Sequence, residues 1–235
     1  MLTFRRILAV LLLSGLAGCA QLRPVADAVS GGDHANDDLP DGTGWWYARF
    51  SVAEPDISSP RWHIDTLLAG EVVAPVFEQY HADIMIWRVH RRAAHDAAGH
   101  VFSFIFYSTA AGARRIYTAL DGNAVLQQLV QDGTLTKVQF DDPVRLLRPH
   151  IEDTSDAGWP PVVQQTWPAL AMGASRMWLD LVGVLADRHA DEADLEQRYL
   201  DVEQEISDLW ATQGQHAVLH HLSALFGYQP LLIRY

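Results

Sequence analysis

The feature that most constrains the fold is a pair of segments in which large apolar side chains alternate with a period of two. Residues 100–108 place Phe102, Phe104 and Phe106 on one side of an extended chain. Residues 45–52 do the same with Trp46, Ala48, Phe50 and Val52. Because successive side chains of a strand point to opposite faces, both segments predict strands with a strongly apolar face. Such faces need cover, so the sequence predicts a sheet packed against helices.

Two further strands are predicted around these segments. Residues 83–91 alternate and lead through a predicted loop at 92–99 into the aromatic strand, which is typical of a hairpin. Residues 135–140 predict a short fourth strand.

Two helical stretches separate the predicted strands. Ser59 and Pro60 are typical of an N-cap and a first helical residue, and Pro75 predicts a kink or break near the end of that helix. A second stretch spans 109–131, with a predicted interruption at 121–123. The order strand, helix, strand, strand, helix, strand predicts an α+β fold with a ferredoxin-like antiparallel sheet (βαββαβ).

The last third of the chain is predicted to be helical and to cover the free face of the sheet. Trp167 and Pro168 predict an interruption, and Asp191 is a candidate N-cap for the next helix. That helix repeats apolar residues at spacings of 4, 3, 4 and 3, which predicts packing against another helix of the same chain. The repeated residues are Leu195, Tyr199, Val202, Ile206 and Leu209. A last helix is predicted to stop at Gly227, and residues 231–235 are predicted to close as a strand.

The N-terminus has the composition of an export signal. Arg5 and Arg6 precede an uncharged apolar run at 7–18, which is shorter than the roughly 20 residues needed to span a bilayer. Leu16-Ala17-Gly18-Cys19 follows at its end and resembles the lipobox of a bacterial lipoprotein signal peptide. The resemblance implies cleavage before Cys19, a diacylglyceryl group on its thiol and acylation of the new amine. Ala20 is not the aspartate that this family uses for inner-membrane retention, which implies the periplasmic face of the outer membrane.

The cysteine count agrees with this interpretation. Cys19 is the only cysteine in 235 residues, so the mature chain is predicted to contain no disulfide and to depend on packing alone. The alternatives are an ordinary secretory signal with a chance cysteine, or an uncleaved anchor. The predicted organisation is therefore a signal peptide at 1–18, a flexible tether at 19–44, a ferredoxin-like α+β region at 45–142 and a helical region at 143–235 packing on it.

Charge excludes one class of partner. Removal of residues 1–18 takes away two arginines and changes the net charge from −12 to −14. A chain this acidic is not expected to bind nucleic acid, and its attachment to a membrane is expected to depend on the lipid. No apolar run after residue 18 is predicted to span a membrane.

One pair of histidines has metal-ligand spacing. His216 and His220 lie four residues apart on one predicted helical face, with His221 beside them, and imidazoles at that spacing can share a zinc ion. The alternative is that these are ordinary surface or partly buried histidines, since no His-Glu-x-x-His motif is present.

A group of arginines offers a second candidate site. Arg88, Arg91 and Arg92, with Arg114 and Arg115, predict a basic patch for an anionic ligand, or else ion pairs with acidic residues of the chain. His90, His95 and His100 recur every five residues, a spacing that fits no single face of a strand or helix.

A weaker resemblance concerns layout alone. Residues 45–55, followed by the helix with Val73-Ala74-Pro75-Val76, resemble the opening of the lantibiotic dehydratase C-terminal or thiopeptide-biosynthesis domain. No catalytic motif of that family accompanies them, and its activity is not carried over.

The sequence thus predicts a lipid-anchored envelope lipoprotein that binds or assembles with another envelope protein. It is not expected to be an enzyme, and no cofactor or catalytic residue is expected. The alternative is an envelope enzyme, or a small-ligand or metal-binding protein, that uses His216 and His220 or the arginine cluster.

Overall fold

Four strands form one antiparallel sheet in the order β2-β3-β1-β4. The computed structural model describes residue 39 and residues 41–56, 58–92 and 98–229. The strands are β1 (Thr43–Val52), β2 (Ile86–Arg92), β3 (Val101–Thr109) and β4 (Leu135–Phe140). The central strand β1 pairs with both β3 and β4, and β2 pairs with β3 at the opposite edge. The prediction of a mixed α+β fold with an antiparallel sheet is confirmed.

The register brings the two aromatic strands into direct opposition. Phe50 lies opposite Phe102, Ala48 opposite Phe104, and Trp46 opposite Phe106. All six side chains are buried. Period-two alternation therefore assigned the core face of both strands correctly, because one-face burial fixes the phase of a strand.

Seven α-helices are present in the described part of the chain. They are α1 (Trp62–Leu67), α2 (Ala74–Tyr80), α3 (Ala110–Asp121), α4 (Ala124–Gln131), α5 (Pro161–Arg188), α6 (Leu195–Gly214) and α7 (His221–Leu225). A π-helical turn (Leu68–Val73) joins α1 to α2, so Pro75 stands in the first turn of α2. The predicted break between α3 and α4 is confirmed, and Asn123 caps α4 there by accepting a hydrogen bond from the backbone N–H of Leu126 at 2.9 Å.

Two predicted helix starts are wrong by a few residues. The first helix begins at Trp62 rather than at Pro60, with Arg61 as its N-cap. The Glu54 carboxylate, which follows β1, accepts from the backbone N–H of Arg61 at 3.1 Å. The helix after α5 is capped by Asp194 and not by Asp191, since the Asp194 carboxylate accepts from the N–H of Gln197 at 3.1 Å.

Pro168 does not interrupt α5, contrary to the prediction. A proline in a helix frees the carbonyl four residues earlier because it has no N–H to donate. Here that carbonyl belongs to Gln164, and the Ser155 hydroxyl donates to it at 2.6 Å. A side chain from the preceding loop thus replaces the missing hydrogen bond, and the helix continues to Arg188.

The face of the sheet that α1 to α4 leave open is covered mainly by an irregular segment rather than by the C-terminal helices. Trp45, Ile105 and Tyr107 form a small second core on that face, with Ile151 packed against it. The backbone N–H of Trp45 donates to the carbonyl of Arg148 at 2.8 Å. A Cβ on Gly44 would lie 2.7 Å from that same carbonyl oxygen, so glycine permits the close approach.

Helix α6 joins the main core through the predicted apolar repeat. It packs against α1 and α5, and Tyr199, Val202 and Ile206 are buried whereas Leu209 is exposed. A Cβ on Gly70 would lie 2.2 Å from the Tyr199 hydroxyl, so the π-helical turn needs glycine there. The Tyr199 hydroxyl donates to the Glu71 carboxylate at 2.8 Å.

Several predictions lie outside the described residues. These are the signal peptide and lipobox, the tether up to residue 38, most of the β2–β3 loop and the closing strand at 231–235.

Replacement of Ser155 by alanine is expected to lower the free energy of unfolding by about 1 kcal/mol, because the Gln164 carbonyl loses the hydroxyl that replaces the missing N–H of Pro168. The same change in a Pro168→Ala background is expected to cost less, since residue 168 then has an N–H that can donate to Gln164. Chemical denaturation of the four proteins of this double-mutant cycle measures the difference.

Thr166→Ala provides a control, because the Thr166 hydroxyl bonds an exposed carbonyl of the same helix. We expect little change from it. Equal losses from Ser155→Ala in both backgrounds would contradict the assigned role of the Ser155 hydroxyl.

Candidate functional site

A network of charged side chains is buried where helix α1 meets strands β2 and β3. Asp65 on α1 and His100, just before β3, have side chains that are 0% exposed. Asp65 Oδ1 lies 2.9 Å from His100 Nε2. Glu54, after β1, contacts the other ring nitrogen, Nδ1. His100 is therefore held between two carboxylates.

This environment favours the charged form of His100. Burial by itself lowers the pKa of His100, but the hydrogen bonds and negative charges of Asp65 and Glu54 outweigh it. The net effect raises the pKa of the imidazole above its ordinary value. The buried imidazolium compensates charge that two carboxylates would otherwise leave unpaired.

Arg91 extends the network to helix α6. Its Nε donates to Asp65 Oδ2 at 2.9 Å and its Nη2 donates to the carbonyl of Trp62 at 2.9 Å. The same Nη2 lies 3.1 Å from Glu203 Oε1 on α6. The guanidinium carbon also lies 5.1 Å from the ring of Trp62 and 5.2 Å from that of Trp178, within cation–π range.

Glu203 is the least compensated member of the network. Burial raises its pKa, against the opposing influence of Arg91. Its second oxygen, Oε2, is buried and has no hydrogen-bond partner among the described residues.

A second, more exposed set of contacts joins the start of α1 to α6. Glu196 Oε1 lies 2.8 Å from Arg61 Nη2 and 3.0 Å from His63 Nε2. Burial lowers the pKa of His63 in spite of Glu196. Arg61, in turn, lowers the pKa of Glu196 through its hydrogen bond.

The geometry of the buried network suits a structural role rather than a catalytic one. Both nitrogens of His100 contact carboxylates, so neither is free to take a proton from a substrate or to bind a metal. Arg91 donates to Asp65 and to the carbonyl of Trp62, and it pairs with Glu203. The network therefore ties β1, β2, β3, α1 and α6 together.

Sequence reasoning missed this network, although one signal was present. Asp65 lies on the same helical face as the buried Leu68, Ala69 and Val72, at spacings of 3, 4 and 7. A carboxylate on an apolar helical face predicts a buried cationic partner. The partner could not be identified, because His100 and Arg91 reach Asp65 only through the pairing of β2 with β3.

The structure brings the predicted histidines together. The ring centroids of His216 and His220 are 5.1 Å apart, and His221 lies within 5.6 Å of both. All three are exposed, on the π-helical turn Gln215–His220 and the start of α7. No group of three or more histidines, cysteines or acids in the described residues is arranged to hold a metal. Metal binding at His216 and His220 stays a prediction.

The predicted arginine patch is not a single site. Arg88 lies over the ring of Trp167 at 4.8 Å, beside the second core, whereas Arg91 belongs to the buried network. Arg115 Nη2 pairs with Asp83 Oδ2 at 2.9 Å. For Arg91 and Arg115 the structure favours the alternative of ion pairing within the chain. Arg92 and Arg114 also have interaction partners.

The most unusual surface of the described chain is the outer face of α5. The buried face of this helix packs on the edge strand β2, where the Ser175 hydroxyl accepts from the N–H of Val89 at 3.1 Å. The opposite face carries apolar residues every seven positions. They are Val163 (39% exposed), Leu170 (53%), Met177 (46%) and Val184 (54%).

By length and composition alone, α5 is also apolar enough to cross a membrane, and only 22% of its most apolar window is buried. This differs from the prediction that no apolar run after residue 18 is long enough to span a membrane. The exposed apolar residues of α5 lie on its outer face, while its inner face packs on β2.

No protein-family model, curated protein or solved structure matches the chain.

His100→Gln is expected to lower the free energy of unfolding by about 3 kcal/mol below pH 6.5, because Asp65 and Glu54 lose their shared cation. The pKa of His100 is raised in the folded state. Its stabilisation is therefore complete below the unfolded pKa of about 6.5 and is lost as pH rises through the folded pKa. Denaturation series from pH 5.5 upwards should show the difference between the two proteins shrinking with pH.

His81→Ala serves as the matched control, because His81 is exposed and bonds only the nearby carbonyl of Glu78. A His100→Gln cost that is constant with pH would show that the charge of His100 does not contribute.

Proposed function

We propose that this chain is a lipoprotein of the cell envelope, anchored through lipid on Cys19 to the outer membrane and facing the periplasm. The support is the match of Leu16-Ala17-Gly18-Cys19 to a lipobox behind a charged start and an apolar run. The core residues belong to a separate compact unit, Ala35–Tyr235. Cleavage before Cys19 would leave that unit intact.

Its proposed role is binding or assembly, and the outer face of α5 carries this proposal. Exposed apolar patches that are continuous along one element typically mark interaction surfaces in soluble domains. The seven-residue repeat of Val163, Leu170, Met177 and Val184 extends over most of the helix. A repeat of this period is typical of a helix that pairs with another helix.

The domain that presents this helix is proposed to be ferredoxin-like. In support, β1 and β2 are both antiparallel to β3, which lies between them. Likewise, β3 and β4 are both antiparallel to β1, which separates them. Each helical crossover thus joins two strands that run in the same direction with one strand between them.

Lipidation is expected to leave a mature chain that begins at Cys19 and carries acyl groups. Intact-mass measurement on protein from native envelopes should show loss of residues 1–18 and an added lipid mass. Cys19→Ser should remove the lipid and leave uncleaved precursor or released protein. A wild-type species that starts at Met1, or that has an unmodified thiol, would rule out the anchor.

Binding through α5 is tested by placing a photo-crosslinking residue at position 170 in the full chain. We expect an adduct of defined mass in native envelopes, because Leu170 lies in the centre of the apolar face. Position 162 provides the matched control: Val162 is 66% exposed on the same helix but lies outside the repeat. Equal crosslinking at both positions would contradict a specific surface.

A further inference from the structure

The outer face of α5 contains a complete coiled-coil repeat. Between the exposed residues Val163, Leu170, Met177 and Val184 lie three more side chains that share their face. These are Trp167 and Leu181, which are half-buried, and Ala174, which is exposed. The seven residues follow one another at spacings of 4, 3, 4, 3, 4 and 3. This is the spacing of a seam that pairs with one other helix.

We infer that the partner on this face is the α5 helix of a second copy of the chain, lying antiparallel to the first. This deepens the proposed assembly role and depends on the same face of α5. The reason is how six of the seven side chains, from Val163 to Leu181, match one another when the helix is paired with itself.

In the antiparallel arrangement, no layer contains two tryptophans or two alanines. Leu170 lies in a layer with the partner's Ala174, and Trp167 lies with the partner's Met177. Val163 lies with the partner's Leu181. Each layer occurs twice because the pair is symmetric. The layers are more even in volume than those of the parallel pair, which favours a closely packed interface.

The parallel arrangement matches poorly. It would stack Trp167 on the partner's Trp167 and Ala174 on the partner's Ala174. One layer would be overfilled and another would contain a void, and both faults destabilise packing.

The backbone and the flanking charges also favour the antiparallel pair. Gly173 flanks the seam beside its centre, and a Cβ on this residue would meet no atom within 4 Å, so two helices can approach closely there. Asp180 flanks the seam on the same side as Gly173, and it would lie near the partner's Thr166. In this arrangement Asp180 faces an uncharged residue of the partner, so no like-charge pair opposes the dimer.

A bilayer is a poorer match for the same face. Helices that lie in a membrane surface usually carry lysine and arginine beside their apolar face. The exposed charges flanking this seam include Arg176, which pairs with Asp180 at 2.9 Å, and the chain as a whole is acidic.

The interface is expected to be weak in solution. The repeat extends over about 33 Å of helix, and contact along this single helix is expected to bury less than the roughly 1,600 Å² of a stable interface. We expect a dissociation constant of about 10–100 µM. Anchoring both copies in one membrane would raise their effective concentration and favour the dimer.

Sedimentation equilibrium of residues 20–235 tests the inference at concentrations up to about 1 mM. This portion retains the compact unit Ala35–Tyr235 and contains no cysteine. We expect a reversible dimer. Leu170→Glu should raise its dissociation constant by more than about tenfold, because a carboxylate is buried in an apolar layer. Val162→Glu adds the same charge outside the seam and should change it by less than about twofold.

The relative direction of the two paired helices is tested by mixing two single-cysteine variants, Leu170→Cys and Ala174→Cys, under oxidising conditions. An antiparallel pair should give mainly disulfides between the two different variants. Circular dichroism confirms that all variants are folded.

Three results would overturn the inference: a monomer at every concentration, equal effects of the two glutamates, or disulfides formed mainly between identical variants. A monomer that still crosslinks at position 170 to a different envelope protein would reject self-pairing and keep the proposed assembly role. A dimer of residues 20–235, found together with wild-type envelope protein that carries no lipid, would keep self-pairing and reject the lipid anchor.

Discussion

The fold depends on a compensated charge in its interior. Asp65 is completely buried on helix α1, beside the buried Ile64 and Leu67. A lone carboxylate in that position would be costly, so the surrounding elements have to bring cations to it. His100 and Arg91 do so from two paired strands, and Glu54 and Glu203 connect the same cations to the end of β1 and to α6. Five elements are thereby placed relative to one carboxylate.

This dependence explains what could be predicted from the sequence. Strands β1, β3 and β4 and the break between α3 and α4 follow local rules of alternation and capping, and their residues were assigned correctly to within a few positions. The buried network follows no local rule. His100 and Arg91 are separated from Asp65 by long stretches of chain, and only the pairing of β2 with β3 brings them to it. The five-residue spacing of the histidines gave no indication of this.

The errors at helix ends have the same origin. Ser59 and Asp191 are good caps by residue type, yet α1 begins after Arg61 without a side-chain cap, and Asp194 caps α6. The path of the chain decides which side chain reaches the free N–H groups. Likewise, Pro168 predicts a broken helix until Ser155 is seen to bond the carbonyl that the proline leaves free. That hydroxyl stabilises the continuous helix on which the heptad repeat of α5 depends.

The π-helical turn Leu68–Val73 between α1 and α2 has a consequence for how this chain tolerates change. Each residue of an α-helix turns it by about 100°, and a π-helical turn takes up one residue more than an α-helical turn. Asp65 before the turn and Phe77 after it both face the interior. An uninterrupted α-helix of the same length would rotate one of them towards solvent. Gly70, lying under the Tyr199 ring, thus keeps two halves of one helix in phase, and the angular offset between them is part of what the sequence encodes.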